Sequence, residues 1–328
     1  MFVAKRTLAL FHLRGEILKT LILGAGAMGC LFGAKLKQAG FDVTLYNREN
    51  ETMKRIEKEG IQLISSDETK HTIQIPVIYD SSELKKEYDL ILVLVKAYAT
   101  EAVLTDVYPI IGEKTIVLSL QNGVGNLEKM EKVIPQAVLG VGGTGSGASV
   151  LSPGVIAHRA TGRTNIGFVR NNDSEEYEKI SDMLTASGLE TAVTQNVQSV
   201  IWSKLMINVA FNSLTAISSL KNGDAILPQA GEAIVKSLIE EAAVVAAAEG
   251  IELLYDYPVE EILEIGRGQI ARNQSSMLTD VLNERKTEIE VINGAIVTYG
   301  KKHDIETPYN QLVTHLIHLI EESYSKRI

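Results

Sequence analysis

Residues 19–29 read KTLILGAGAMG, and this stretch decides the fold of the N-terminal half. An apolar run typical of a buried strand ends at Gly24, and a segment with helical spacing follows it. Gly24, Gly26 and Gly29 fit the pattern G-x-G-x-x-G at a strand-to-helix junction, which is the context that indicates dinucleotide binding. Such glycines allow a tight turn, close approach of a pyrophosphate and close packing of helix on strand. The predicted cofactor loop comprises Gly24, Ala25, Gly26, Ala27, Met28 and Gly29; the alternative is a glycine-rich turn without a ligand.

Short apolar runs alternate with helical segments through the first half of the chain. The runs include FDVTLYN (41–47), DLILVLVK (89–96), TIVLSLQNG (115–123), GVIAH (154–158) and TNIGF (164–168). This β-α-β alternation predicts an α/β domain with a doubly wound, mostly parallel sheet, the Rossmann fold. We interpret the glycine-rich region 138–168 as the last strands of that domain, and we expect one more helix over 174–188.

The second half of the chain has a different character. No convincing strand pattern appears after Ser199, and long helices are predicted over 228–250 and 275–304. The C-terminal domain is therefore predicted to be all-α. The expected organisation is an N-terminal extension (1–17), a Rossmann domain (18–193) and a helical substrate domain (194–328).

Composition and charge argue against several classes of protein. The formal net charge of −9 argues against the basic surface of a nucleic-acid-binding protein. The single cysteine, Cys30, excludes a disulfide framework and most cysteine-based metal sites, and it fits a reducing cytoplasm. We predict no metal site. No run of about 18 uncharged apolar residues occurs, so we expect no membrane span. The apolar run 8–13 lacks a following cleavage site, so residues 1–17 are interpreted as an extension rather than a signal peptide.

The end of the second predicted strand is where a Rossmann domain distinguishes NAD from NADP. An NAD enzyme usually places a carboxylate there, to accept from the ribose 2′-hydroxyl. Here the chain reads Tyr46-Asn47-Arg48, and a guanidinium can pair with a 2′-phosphate. The pattern favours NADP, although Glu49 is a complication and Arg48 could simply be a solvated loop charge.

Two polar residues end other predicted strands of the same sheet. Lys96 closes DLILVLVK, and Asn122 follows the run TIVLSLQ. Ligands of such sheets bind at the carboxyl ends of the strands, so both residues are candidates for contacts with the cofactor. The alternatives are a solubilising strand end for Lys96 and a turn residue for Asn122.

The stretch KLMINVAFNSL (204–214) places three polar side chains in one row of a helix. Lys204, Asn208 and Asn212 recur at a spacing of four, while almost every residue between them is apolar. A surface helix shows the opposite balance, with one apolar stripe. The row indicates either hydrogen bonding between helices or a functional site. A lysine aimed at a carbonyl oxygen can act as a general acid, and amides can hold polar groups of a substrate.

In these motifs the chain resembles the ketopantoate reductase (2-dehydropantoate 2-reductase) family. The resemblance runs from about Leu18 to His318 and rests on the order of several motifs. These are LGAGAMG, VKAY, LQNGVG, PGVIAH, WSKLMINVAFNSLTAI, KNGD, SSMLTD and RKTEIEVINGAIV. It implies a Rossmann domain followed by a helical domain like that of 6-phosphogluconate dehydrogenase. The extension 1–17 has no counterpart in this resemblance.

The resemblance also implies a role for each site residue. Lys204 would donate the proton and Glu288 would contact the substrate and order the site. The groups that would hold the substrate are Asn122, Asn208, Asn212, Asn222 and Ser276. Lys96 and Asn122 would lie near the nicotinamide and its ribose, and Arg48 would bind the 2′-phosphate. Taken alone, Glu288 could be an exposed helix charge, Ser276 a helix N-cap and Asn222 a turn residue.

The implied activity is reduction of 2-dehydropantoate by NADPH, a step towards pantothenate and coenzyme A. One alternative is reduction of another 2-oxo acid, with NADPH or NADH. A second is an NADP-binding regulator without catalysis, which the pair Lys204 and Glu288 argues against. Oligomeric state stays open, because the segment EAAVVAAAEG (241–250) could pack inside the helical domain or across a homodimer interface.

Overall fold

The computed structural model describes residues 18–65, 67–168 and 174–326, which form two compact units. The first unit contains the chain up to Gln121 and Asn126–Val197. The second contains Asn122–Gly125 and the chain from Gln198 onward. The division therefore lies a few residues beyond the expected boundary at 193, and a short internal loop joins the second unit. The predicted extension 1–17 lies outside the described residues.

Within the part of the first unit that the structure describes, twelve strands form two sheets. They are β1 (Thr20–Leu23), β2 (Val43–Tyr46), β3 (Ile61–Ile64), β4 (Lys70–Ile73), β5 (Val77–Ile78), β6 (Leu90–Val93), β7 (Ile116–Ser119), β8 (Val138–Thr144), β9 (Gly147–Ser152), β10 (Val155–Ala160), β11 (Thr164–Phe168) and β12 (Thr191–Val193). The main sheet has eight strands in the order β12-β11-β8-β7-β6-β1-β2-β5. Every neighbouring pair in it is parallel except β11 and β8, which confirms the predicted mostly parallel sheet.

The remaining strands form a second sheet that the sequence pattern did not separate from the first. Its order is β4-β3-β10-β9, with β10 parallel to β3 and the outer pairs antiparallel. Strands β9 and β10 form a hairpin whose turn contains Gly154, with a φ of +71° that favours glycine. The region 138–168 therefore supplies strands to both sheets of the unit.

The described residues of the first unit also form five α-helices: α1 (Ala27–Ala39), α2 (Glu51–Glu59), α3 (Thr100–Val107), α4 (Asn126–Val133) and α5 (Ser174–Ala186). Helix α1 contacts strands of both sheets, so seven of its thirteen residues are buried. Because both sheets cover this helix, it is apolar over most of its surface rather than along one stripe. It ends at Gly40, whose φ of +96° provides the left-handed cap.

The second unit is helical, as predicted, with no strand among its described residues. Its helices are α6 (Val197–Ser218), α7 (Asn222–Ile226), α8 (Gln229–Ala248), α9 (Pro258–Arg267), α10 (Ser276–Leu282), α11 (Asn293–Lys302) and α12 (Pro308–Glu322). Helix α6 is the core element, with Met206, Val209 and Ala210 fully buried. In the segment EAAVVAAAEG, Ala242, Val245 and Ala246 are buried, whereas Val244 is 55% exposed.

The single helix predicted over 275–304 is wrong. Two helices, α10 and α11, occupy this range, and a turn with one short 3-10 segment (Ile289–Val291) separates them. Glu284 adopts a left-handed φ of +52°, and the backbone N–H of Thr287 donates to Oε1 of Glu321 at 2.7 Å. These interactions end the helix although the intervening sequence lacks glycine and proline. The break is important because it contains Glu288.

One described helix, α6, is long and apolar enough in composition to cross a membrane. Within the protein, 61% of its most apolar 18-residue window is buried. A helix in the core of a globular protein can have the same length and hydropathy, and an apolar helix of that kind is buried among its neighbours.

Candidate active site

Lys204 and Asn122 meet in the helical unit. The Lys204 ammonium donates a 2.9 Å hydrogen bond to Oδ1 of Asn122, which lies in the loop after β7, three residues beyond the end of that strand at Ser119. The lysine residue as a whole is half-buried, but its ammonium lies deep enough for desolvation to lower its pKa to about 8. The charge of Glu288 acts in the opposite direction and raises the pKa of Lys204. An acid whose pKa lies near neutrality is suited to proton transfer.

Glu288 is buried in the turn between α10 and α11. Its residue exposure is 8%, so the alternative of an exposed helix charge is wrong. The turn is held by Thr287, whose N–H bonds to Glu321 and whose hydroxyl accepts from the N–H of Ile289 at 3.2 Å. Burial of a carboxylate is unfavourable unless a cation or hydrogen-bond donors compensate it. The ammonium of Lys204 supplies a compensating charge in the same unit.

The loop Asn122–Gly125 is fixed to that same turn. The N–H of Val124 donates to the carbonyl of Val291 at 3.1 Å. Gly123 has a φ of +79°, and a Cβ there would lie 2.2 Å from the same carbonyl oxygen, so the close approach requires glycine. Asn122 and the turn containing Glu288 are thereby held as one assembly within the helical unit.

Three asparagines that were predicted to bind the substrate lie on helices of the same unit as Lys204. Asn208 is half-buried one helical turn after Lys204, and Asn212 follows one turn later with 6% exposure. Asn222 begins α7, is 5% exposed and donates from Nδ2 to the carbonyl of Ile270 at 3.2 Å. Nδ2 of Asn212 and Oδ1 of Asn222 are buried without a hydrogen-bond partner. A buried polar atom without a partner destabilises the folded protein by about 1–3 kcal/mol, and a polar ligand could supply the missing hydrogen bond.

The two adjacent serines at the start of α10 have different positions. Ser275 is the N-cap, since its hydroxyl accepts from the N–H of Leu278 at 3.0 Å and from the hydroxyl of Thr215 at 2.7 Å. Ser276 is the first residue of the helix and is exposed. The alternative interpretation of Ser276 as an N-cap is therefore wrong, and its hydroxyl does not perform that structural role.

The glycine loop in the first unit has the geometry that its pattern predicts. Gly24 has a φ of +108°, and a Cβ on Gly29 would lie 1.8 Å from the carbonyl oxygen of Gly24. Gly26 is exposed, and a Cβ added there would meet no atom within 4 Å. Gly26 is the N-cap of α1 and has no side chain to cap it. The first backbone N–H groups of α1 can therefore bind an anion such as a pyrophosphate.

Arg48 lies just after β2, and its guanidinium is paired. Nη2 of Arg48 lies 3.0 Å from Oδ2 of Asp106, a residue of α3. Its side chain remains 73% exposed. Glu49, the residue that complicated the choice of cofactor, instead pairs with Lys54 at 2.8 Å. Lys96 is half-buried at the start of the short 3-10 turn after β6.

Sequence reasoning did not single out Gln121, Asp106 or Ser275. Gln121 is 9% exposed and ties together the ends of two neighbouring strands, because its Nε2 donates to the carbonyl of Val95 at 2.7 Å and its Oε1 accepts from Ser119 at 2.9 Å. A polar residue inside the apolar run TIVLSLQNG was an available signal. Asp106 has no such signal, because a helix carboxylate resembles any solvated charge.

A doubly wound unit with a glycine-rich nucleotide loop, followed by an all-helical unit, defines a class of dinucleotide-dependent oxidoreductases. Comparison with family models narrows that class. Residues 20–171 match the model described as ketopantoate reductase PanE/ApbA, and residues 196–321 match its C-terminal counterpart. The chain belongs to the ketopantoate reductase family.

Individual relatives agree with this assignment. The chain is 30% identical to the 2-dehydropantoate 2-reductase of Halobacterium salinarum over 310 residues, 93% of this chain and 99% of that protein. It is 34% identical to the enzyme of the same name from Pyrococcus horikoshii over 309 residues, 92% and 96% of the two chains.

Solved structures include two informative neighbours. A D-mandelate dehydrogenase with NADH and anilino(oxo)acetate matches with a TM-score of 0.88 and 30% identity, over 94% of this chain and 100% of that one. A PanE/ApbA family ketopantoate reductase from Ralstonia eutropha matches with a TM-score of 0.85 and 28% identity, over 93% and 99%.

Proposed function

We propose that the protein reduces 2-dehydropantoate to pantoate with NADPH, within pantothenate and coenzyme A biosynthesis. The observation that carries this proposal is the arrangement of the half-buried Lys204 and Asn122, which are hydrogen-bonded, with the buried Glu288. It supplies a proton donor with a pKa of about 8, a neutral acceptor that orients it and a carboxylate that keeps it charged. A protein that only bound the dinucleotide would not need this combination.

Proton transfer is the role proposed for Lys204. The cofactor supplies hydride to the carbonyl carbon, and the ammonium of Lys204 supplies a proton to the carbonyl oxygen. The ketone becomes a secondary alcohol, and Lys204 is left as a neutral amine that regains its proton from solvent. Before transfer, the positive charge also stabilises the alkoxide that develops on the oxygen. Glu288 favours the protonated lysine at the start of each turnover.

Substrate binding is the role proposed for the amides and one hydroxyl. The buried Nδ2 of Asn212 and Oδ1 of Asn222 have no partner in the protein, and Asn208 lies on the same helix face as Lys204. Together with Asn122 and the exposed Ser276, they offer neutral donors and acceptors for a carboxylate and hydroxyl groups. Neutral groups bind an anionic acid without adding a second positive charge that would lower the pKa of Lys204 further.

Dinucleotide binding is assigned to the first unit. The glycine loop, Gly24 to Gly29, would receive the pyrophosphate at the start of α1, and Lys96 would approach the nicotinamide side. Arg48 would bind the 2′-phosphate of NADPH through its guanidinium. For this it must exchange its pairing with Asp106, an exposed ion pair of the kind that contributes at most about 1 kcal/mol.

A second candidate is reduction of an aromatic or branched 2-oxo acid with NADH. Two observations favour it: the similarity to a D-mandelate dehydrogenase bound to NADH, and the pairing of Arg48 with Asp106. The same lysine chemistry would serve either substrate, since both are 2-oxo acids. The tail of the acid and the adenosine ribose of the cofactor distinguish the two candidates.

A substrate panel tests the proposal directly. Purified protein would be assayed with 2-dehydropantoate, 2-oxoisovalerate and phenylglyoxylate, each with NADPH and with NADH. We expect the highest kcat/KM for 2-dehydropantoate with NADPH. Higher kcat/KM for phenylglyoxylate with NADH would establish the second candidate instead. Binding of NADPH without turnover of any acid would overturn both. The cytoplasmic location is a separate prediction, which a fractionation experiment rather than this panel would test.

A further inference from the structure

Two fully buried asparagines form a chain of hydrogen bonds through the helical unit. Asn293, the first residue of α11, and Asn310, in the first turn of α12, both have 0% exposure. Nδ2 of Asn293 donates to the carbonyl of Val209 at 3.1 Å and to Oδ1 of Asn310 at 3.0 Å. This series of hydrogen bonds therefore begins at the backbone of α6, the helix that carries Lys204.

The hydrogen bonds of Asn310 determine the direction of this series of hydrogen bonds. Nδ2 of Asn310 donates to the carbonyl of Leu238 at 3.2 Å and to Oε2 of Glu241 at 2.8 Å. Both acceptors lie on α8, so Oδ1 of Asn310 must face Asn293. Because that oxygen and the Val209 carbonyl are both acceptors, only a side chain with two donors satisfies them together. An asparagine amide at 293 meets this requirement.

The position of Asn293 connects the chain to the candidate site. It follows the turn that contains Glu288, and Val291 in the same turn accepts from the loop that begins with Asn122. At the other end, Val209 is the neighbour of Asn208 on α6. Thus Asn293 ties the backbone of the helix that presents Lys204 to the turn that presents Glu288.

We propose that Asn293 is a positioning residue for the reductase site, fixing the turn at Glu288 to the backbone of α6 at Val209. This rests on the proposed function, in which Glu288 acts on Lys204. Asn293 does not itself reach the ammonium. Its effect is on the position of Glu288 relative to Lys204, because Glu288 lies in a turn with little regular structure, whereas Lys204 lies on α6.

The effect is measurable in the pH dependence of reduction. Glu288 is the charged group whose field raises the pKa of Lys204, so a more distant Glu288 lowers that pKa. In Asn293→Leu, which keeps the branched shape and the number of non-hydrogen atoms but has no donor, we expect the high-pH limb of kcat to move to lower pH, by at least about half a pH unit. Glu288→Gln should move it in the same direction.

A double variant tests whether Asn293 acts through Glu288. Adding Asn293→Leu to Glu288→Gln should produce no further shift of the high-pH limb. The charge at position 288, through which Asn293 is proposed to act, is already absent in that background. An equal shift in both backgrounds would overturn the inference. So would an unchanged limb in Asn293→Leu with only a lower melting temperature, which would indicate a purely structural role.

Thr314→Val is the matched control. Thr314 is buried on α12 and donates to the carbonyl of Asn310 at 2.7 Å, but it does not contact Asn293 through a hydrogen bond of its side chain. We expect it to lower the melting temperature and leave the limb in place. If Asn293→Leu does not fold, Asn293→Ser retains one donor, and the same comparison with Glu288→Gln applies.

A measurement without turnover separates failure of this inference from failure of the proposed function. The Lys204 side chain can be titrated by NMR in protein labelled at lysine, with its resonance assigned by its loss in Lys204→Ala. A lower pKa in Asn293→Leu than in the parent supports positioning even if 2-dehydropantoate is not the substrate. Identical pKa values in the two proteins would overturn it whatever the substrate.

Discussion

The ammonium of Lys204 donates to the side-chain oxygen of Asn122, a residue 82 positions earlier in the chain. Asn122 belongs to a short loop that is part of the helical unit, although the residues on both sides of that loop in the sequence belong to the first unit. Fixing a flexible lysine costs side-chain entropy, which this hydrogen bond and the charge of Glu288 offset. The ammonium is thus oriented within the unit, as the proposed role of Lys204 in proton transfer requires, because pre-orientation of this kind lowers the barrier to such a step.

Replacing Lys204 by alanine should remove most of the activity. We expect kcat for reduction to fall by about 10²–10⁴, the range typical of a positioned general acid. Affinity for NADPH, measured by fluorescence titration, should stay nearly unchanged. Lys236→Ala, which removes an exposed lysine of α8 paired with Glu232, is the control and should keep full turnover. Loss of less than about tenfold in Lys204→Ala would contradict the proposed role.

Reduction should depend on pH through Lys204. Its pKa is lowered to about 8, so the lysine is protonated below that pH and loses its proton above it. Steady-state assays should therefore show a constant kcat below about pH 8 and a decline at higher pH. Glu288→Gln removes the charge that raises this pKa, so the decline should begin at lower pH.

Glu290→Gln is the control for that shift, because Glu290 is an exposed neighbour that bonds to His318. It should leave the profile in place. A profile that is identical in Glu288→Gln and the parent would show that Glu288 does not act on the proton donor.

Arg48 should decide between the two dinucleotides. Charge-assisted hydrogen bonds contribute about 1.5–3 kcal/mol, so Arg48→Ala should weaken NADPH binding by about tenfold or more. Binding of NADH should change little, since it lacks the 2′-phosphate. Calorimetric titration with both cofactors measures the two affinities. Equal losses for NADPH and NADH would remove the assigned role.

Asp106→Asn should act in the opposite direction. It releases Arg48 from its 3.0 Å ion pair and removes a carboxylate that competes with the 2′-phosphate. Because an exposed pair contributes at most about 1 kcal/mol, NADPH should bind up to about fivefold more tightly. Weaker NADPH binding in this variant would indicate that Asp106 orients Arg48 rather than competing for it.

The glycine loop allows binding and folding to be tested separately. A Cβ at Gly26 meets no atom within 4 Å, so Gly26→Ala should leave the melting temperature unchanged but weaken dinucleotide binding, because the backbone must approach the pyrophosphate. A Cβ at Gly29 would lie 1.8 Å from a carbonyl oxygen, so Gly29→Ala should destabilise the fold by about 1–3 kcal/mol. Unaltered NADPH affinity in Gly26→Ala would contradict the proposed binding mode.

Gly123 and Gly125 provide a matched pair for the loop that carries Asn122. Both have positive φ, +79° and +85°, so alanine is strained at either. A Cβ at 123 would lie 2.2 Å from the Val291 carbonyl oxygen, whereas one at 125 meets nothing within 4 Å. Gly123→Ala should therefore displace Asn122 and lower kcat well beyond Gly125→Ala. Equal kcat in variants of equal stability would exclude a role for this contact.

The Rossmann unit could be predicted because burial leaves strong marks on its sequence. Strands covered on both faces, such as β6 and β7, are continuous apolar runs, and Gly24 and Gly29 are required by contacts that no other residue allows. The second sheet was harder. Strands β3 and β4 are short and half-exposed, and nothing in their local pattern specifies that β10 pairs with β3.

The helical unit shows the same limit at the site itself. The segment 283–292 has ordinary helix-forming residues, so local propensity predicts a continuous helix. A bond between the Thr287 N–H and Glu321 forms instead, and it places Glu288 in a turn. Long-range bonds of this kind, like that between Lys204 and Asn122, arise from tertiary structure that local patterns do not encode.

Because of the loop Asn122–Gly125, the two structural units cannot be separated by a single cut in the sequence. The partner of Lys204 is encoded within the first part of the gene but belongs to the second structural unit. A chimera joined after Val197 would therefore inherit its lysine from one parent and the acceptor of that lysine from the other. Gly123 and Val291 would also come from different parents, and they must match in shape. If the first units of two relatives were exchanged, the four residues 122–125 would be exchanged with them, and these four residues must fit the helical unit of the other relative.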